Sequence, residues 1–71
     1  MSQQEVIEFL ENQEEPLTRG EIAILMGEEA SKISRILSKL LGCNEIKYIE
    51  INRFKAMERC GAKRRIKLYY L

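Results

Sequence analysis

Along roughly the first forty positions, apolar residues recur every three to four places, and in the last third this spacing gives way to alternation. Val6, Ile7, Phe9, Leu10 and Gln13 define one helical stripe, with Glu5, Glu8, Glu11 and Glu15 on the other side. Ser2 followed by Glu5 has the spacing of a capping box, which opens a first helix. Glu14 and Glu15 sit badly against the negative end of a helix, and Pro16 drives its predecessor out of the α region. Both effects end that helix near Gln13. Pro16-Leu17 is then a short extended link. Thr18 and Glu21 form a second capping box, and Leu17 with Ile22 supplies the matching hydrophobic staple. The second helix runs to about Met26, with Ile22, Leu25 and Met26 inward and Gly27 as a left-handed stop. A third helix runs from about Ala30 to Leu41, with Gly42 as its expected stop. Ile33, Ile36, Leu37, Leu40 and Leu41 share one sector of it. Ser31, Arg35, Ser38 and Lys39 lie opposite, flanked by Lys32 and Ser34.

The last third is richer in β-branched and aromatic residues. Glu45 to Ile51 reads as one strand and Ile66 to Leu71 as another. In the second, Ile66, Leu68 and Tyr70 share the face expected to meet the core, and Lys67, Tyr69 and Leu71 share the other. The stretch between them is too long for a tight hairpin. Asn52 is placed to cap a short helix through Cys60, ending at Gly61, with Phe54 and Met57 packing back. An irregular basic loop is the alternative.

Charge sharpens this picture. Residues 1–30 hold eight Glu and one Arg, a net of −7, while residues 31–71 hold eleven Lys/Arg and three Glu, a net of +8. The overall charge of +1 therefore hides a bipolar molecule whose basic half begins at the third helix. A length of 71 residues is one domain, spanning 1–71, with a core small enough to gain from oligomerisation. No apolar run approaches the roughly 20 residues of a membrane span, and the N-terminus lacks a signal-peptide pattern, so a cytoplasmic protein is expected.

Catalytic chemistry finds little to work with. The chain has no His, its acids are all Glu, and its four glycines are isolated rather than gathered in a phosphate loop. Cys43 and Cys60 are too few and too far apart for a local zinc site and read as reduced thiols. No enzyme, cofactor, metal or small-molecule effector is expected.

The segment Leu17-Thr18, Glu21-Ile22-Ala23, Leu25, Gly27, then Ser31, Ile33, Ser34, Arg35, Leu37, Lys39 and Leu40 resembles the central motif of small bacterial and archaeal winged helix-turn-helix transcription regulators. EIKYIEIN and RRIKLYYL resemble their wing strands, so the likeness covers nearly the whole chain. It implies an α+β fold: a three-helix core with a C-terminal β-hairpin wing. It also implies sequence-specific binding of double-stranded DNA, with the third helix in the major groove. Two departures stand out. Glu28 and Glu29 occupy a turn that is usually apolar, and the wing is longer than usual.

On this reading Ser31, Lys32, Ser34, Arg35, Ser38 and Lys39 face the DNA bases, and Arg53, Lys55, Arg59, Lys63, Arg64 and Arg65 grip phosphates. Alone, Arg35 and Lys39 would be ordinary solvated charge. Their place on the second helix of a recognisable unit gives them a role. A homodimer on a two-fold site is expected, with Tyr69 and Leu71 as interface residues. The alternative is a winged-helix protein-interaction module docking into a larger transcription or processing assembly.

Overall fold

The structure, a computed structural model, describes residues 2–71. Its elements follow in the order α1 (Gln3–Glu11), β1 (Leu17–Thr18), α2 (Arg19–Met26), α3 (Ala30–Gly42), β2 (Lys47–Ile51), α4 (Arg53–Cys60) and β3 (Ile66–Tyr70). The strands form one antiparallel sheet in the order β1-β3-β2. The whole is an α+β body of 33 × 24 × 22 Å, and its layout is consistent with a winged helix.

Local sequence explains most boundaries. The Ser2 hydroxyl accepts from the Glu5 N–H at 3.3 Å and opens α1. Its far end closes two residues earlier than Gln13, because side chains take over the last carbonyls: Asn12 Nδ2 donates to Glu8 O at 2.9 Å and Gln13 Nε2 to Phe9 O at 3.3 Å. At α2 the capping box is complete, with Glu21 N–H donating to Thr18 Oγ1 at 3.1 Å and Thr18 N–H to Glu21 Oε1 at 3.0 Å. Gly27 ends α2 in the left-handed region at φ 69°, where the Glu28 N–H reaches the Ala23 carbonyl at 2.9 Å.

Gly42 does not stop α3; it is the last helical residue. The left-handed turn falls on Asn44 at φ 57°, and the Glu45 N–H closes back on the Leu40 carbonyl at 2.9 Å. Asparagine tolerates this conformation because its short polar side chain can bond locally.

The core lies between the three N-terminal helices and one face of the sheet. Val6, Leu10, Ile22, Ala23, Ile33, Leu37, Leu40 and Ile46 are buried together, with Leu17, Met26, Ile36 and Tyr69 among the side chains packed against them. Each fully buried aliphatic side chain contributes roughly 1.5–3 kcal/mol. On α2 the inward residue is Ala23 rather than Leu25, which is 61% exposed. A methyl side chain lets α3 approach closely, and the rotation that favours this contact turns Leu25 outward.

Strand pairing also reverses an expectation about β3. Tyr69 is paired with Leu17 on one side and Tyr48 on the other, so these three share a face, and that face meets the core. Leu68, paired with Thr18 and Ile49, lies on the opposite face with Ile66 and Tyr70. Tyr69 is therefore withdrawn from the surface expected to form a dimer, while Leu71 is 40% exposed.

The outer face is covered by α4, so the wing connection is helical. Asn52 Oδ1 accepts from the Lys55 N–H at 2.9 Å to start it, and Gly61 stops it at φ 77°. Ala56 is fully buried, and Leu68, Ile51, Lys55 and Arg59 line one concavity beside it. Phe54 and Met57 do not pack back; they are 69% and 50% exposed. Phe54 lies about 200° around the helix from Ala56, so seating one turns the other to solvent.

Candidate nucleic-acid interface

The outer face of α3 carries Ser31, Lys32, Arg35, Ser38 and Lys39, all exposed, and Ser34, which is half-buried. This arrangement follows from the opposite stripe: with Ile33, Leu37 and Leu40 in the core and Ile36 and Leu41 packed beside them, the remaining sector of the helix must point outward. Among the described residues, Arg35 and Lys39 make no ion pair. Lys32 lies 3.7 Å from Glu28 one turn earlier, an exposed pair worth little. Arg19 Nη1 approaches Ser34 Oγ at 3.5 Å, which links the start of α2 to the face of α3.

The basic residues of the wing separate into two groups. Arg53, Lys55, Lys63, Arg64 and Arg65 are exposed. The Arg53 guanidinium stands 5.1 Å from the centroid of the Phe54 ring, and Arg65 lies 3.7 Å from Glu50 across the hairpin. Arg59 is different. Its Nη1 donates to Glu21 Oε2 at 2.7 Å, and its Nη2 donates to Glu21 Oε1 at 3.0 Å and to the Pro16 carbonyl at 3.4 Å. This forked pairing spends the guanidinium inside the protein and corrects the expectation that Arg59 grips a phosphate. Glu21 feels opposing influences. Partial burial pushes its carboxyl up, but hydrogen bonds from Arg59 and Thr18 and the Arg59 charge outweigh this, leaving it below the ordinary carboxylate value. The same hydrogen bond to Glu21 raises Arg59.

Folding also brings in Arg19, which no local sequence pattern assigns to the site, and Lys67, which the sequence places next to the wing's basic run but between positions of β3 expected to face the core. Thr18, Arg19, Gly20, Arg64, Arg65 and Lys67 line a cleft of about 460 Å³ between the start of α2 and the chain entering β3. The cause is strand pairing. Because β1 is only two residues long and pairs with Tyr69 and Leu68, the next residue, Arg19, stands beside the β3 edge near Lys67. Arg19 sits in the acidic half of the sequence, and only the β1–β3 register joins it to the basic set. The Lys67 ammonium also rests 4.9 Å from the Tyr48 ring centroid.

The result is an exposed cationic helix face beside a cationic cleft at a helix N-terminus, an arrangement suited to holding phosphates. Glu28 and Glu29 border the start of α3 and oppose that field locally. Among the described residues no group of three or more His, Cys, Asp or Glu side chains gathers to hold a metal ion. Cys43 and Cys60 are exposed free thiols. No helix of the described residues is long and apolar enough to cross a membrane. No family model matches the chain, and no significant match to it is found among curated proteins or solved structures.

Proposed function

We propose that the chain is a cytoplasmic, sequence-specific DNA-binding transcription regulator of winged helix-turn-helix type. In this reading α3 enters the major groove and presents Arg35 and Lys39 to base edges, with Ser31, Ser34, Ser38 and Lys32 beside them. The exposed wing residues Arg53, Lys55, Lys63, Arg64 and Arg65 contact phosphates, joined by Arg19 and Lys67 at the α2 cleft. The observation that carries the reading is the pairing of an exposed cationic face on α3, where Arg35 and Lys39 make no ion pair among the described residues, with that cationic cleft.

Fluorescence anisotropy with a randomised duplex pool at several salt concentrations tests it, and sequencing the retained fraction reads the preferred site. Affinity should fall steeply with salt. Replacing Lys63, Arg64 and Arg65 with Ala should weaken all duplexes alike and shrink the log–log slope by about 0.9 for each phosphate no longer neutralised. Weakening confined to one sequence would mean that the wing reads bases.

The exposed Phe54 and Met57 favour a second reading, a protein-docking module. Negligible duplex affinity at physiological salt would select it.

A further inference from the structure

Two surfaces at opposite ends of the sheet match each other in polarity. On α4, Phe54 and Met57 are 69% and 50% exposed. The two side chains stand at the rim of a shallow concavity they share with Arg53, Glu58 and Lys63, so this exposed apolar knob has a mainly cationic surround. Phosphate contact gives Met57 no role, and Phe54 and Met57 differ from the exposed Ile24 and Leu25 in lying together beside Arg53 and Lys63.

At the other end lies a cleft of about 360 Å³. Leu10, Pro16, Tyr69, Tyr70 and Leu71 are in its apolar lining, Glu11, Glu14 and Glu15 are its charged residues, and among the described residues no Lys or Arg lines it. Arg59 reaches the Pro16 carbonyl nearby, but its charge is matched by Glu21. The cleft's size falls in the lower part of the range that takes a small ligand or a few side chains.

Knob and cleft cannot meet within one molecule. Tyr70 pairs with Lys47 at one end of the hairpin, whereas α4 departs after Ile51, paired with Ile66 at the other. The ends are four residues apart along the strand, about 13 Å. Charge complementarity and apolar content therefore select an occupant from outside.

We propose that the acidic cleft receives the Phe54–Met57 surface of a second copy of the chain, so that copies associate head to tail. Arg53 and Lys63 of one copy then face Glu11, Glu14 and Glu15 of the next, in place of the phosphates they meet in the proposed DNA-bound state. The contact is heterologous, leaving one knob and one cleft unfilled at the ends of every assembly, and it grows into open chains unless rotation closes a ring. It needs no DNA, and its cleft includes Tyr69 and Leu71, the residues expected at a two-fold contact, so the two associations compete for this end of β3.

Light scattering without DNA tests the contact. At low salt the weight-average mass should rise above 8.3 kDa with concentration and return toward it in about 1 M salt, where the Debye length is about 3 Å. The doubly substituted Phe54→Ser/Met57→Ser and Glu11→Lys/Glu14→Lys proteins should each remain monomeric. Mixed in equal amounts, they should form a one-to-one dimer and nothing larger, because only one knob and one cleft remain intact. Unchanged melting by circular dichroism establishes that both are folded. Arg53→Glu/Lys63→Glu is a second knob variant, with the same expected behaviour. The proposal is overturned if the parent stays monomeric, if any single-surface variant associates like the parent, or if the mixture stays monomeric while the parent associates.

Discussion

Arg59 and Arg35 look alike in the sequence, each a cation on a helix, and the fold gives them opposite surroundings. Arg59 binds Glu21 through both guanidinium ends and ties α4 to the start of α2. Both side chains are 31% exposed, so the pair lies between surface ion pairs worth about 0–1 kcal/mol and buried ones whose breakage costs about 3–5 kcal/mol. Arg59→Ala should cost about 1–2 kcal/mol, at about 4–8 °C of melting temperature per kcal/mol. Arg59→Lys should recover little, because an ammonium cannot reproduce the fork. The Glu21 carboxyl is held below its unfolded value, so its contribution is present above that value, about 4.3, and is lost as pH falls through the folded one. The melting gap between the parent and Glu21→Gln should hold from neutral pH down to about 5 and narrow below about 4; a gap widening in acid would contradict the assignment. Arg35, by contrast, is exposed and free of ion pairs among the described residues. If it makes a bidentate guanine contact, Arg35→Ala should weaken binding by roughly 1–3 kcal/mol and relax preference at one base position. Unchanged affinity and preference would remove it from the reader set.

At the scale of elements, α4 separates what neighbouring residues specify from what packing specifies. Asn52 and Gly61 bracket the helix, and both signals are legible because caps act over three or four residues. Its rotation is not legible. Apolar periodicity favours burying Phe54 and Met57, but the helix is held over the sheet by Ala56 below and Arg59 at its far end. The small residue takes the fully enclosed position, where a larger side chain would overpack. Ala56→Leu should therefore destabilise the fold by about 1–3 kcal/mol, read from urea unfolding, although it adds apolar surface. A neutral or stabilising result would mean that α4 is only loosely seated. The same logic exposed Leu25 in favour of Ala23 on α2.

For the whole molecule, stability is concentrated in few side chains. At about 0.05–0.15 kcal/mol per residue, a chain of 71 residues has roughly 4–10 kcal/mol in all. Ile33 and Leu37 are 0% and 1% exposed at the centre of the helical core. Ile33→Ala or Leu37→Ala should each cost about 2–5 kcal/mol, a large part of that total. Fluorescence of the tyrosines and far-ultraviolet circular dichroism should then report one shared urea transition at a lower midpoint. A destabilisation below about 1 kcal/mol would show that the core tolerates cavities unusually well.

The sequence by itself determined the elements and their order: capping boxes, glycine stops and the change from helical spacing to alternation act between residues a few places apart, so they survive without tertiary context. It also determined the polarity of α3, because one strong apolar stripe leaves a single outward face for Arg35 and Lys39. Only the tertiary structure decided which side of β3 faces inward, since Ile66, Leu68 and Tyr70 alternate with Tyr69 and Leu71 and both faces of β3 carry apolar residues. The β1–β3 register settled that choice, and with it the meeting of Arg19 with Lys67 and the wing. It was also the fold that took Arg59 away from solvent, because its partner Glu21 lies 38 residues earlier in the chain, beyond the reach of any local pattern.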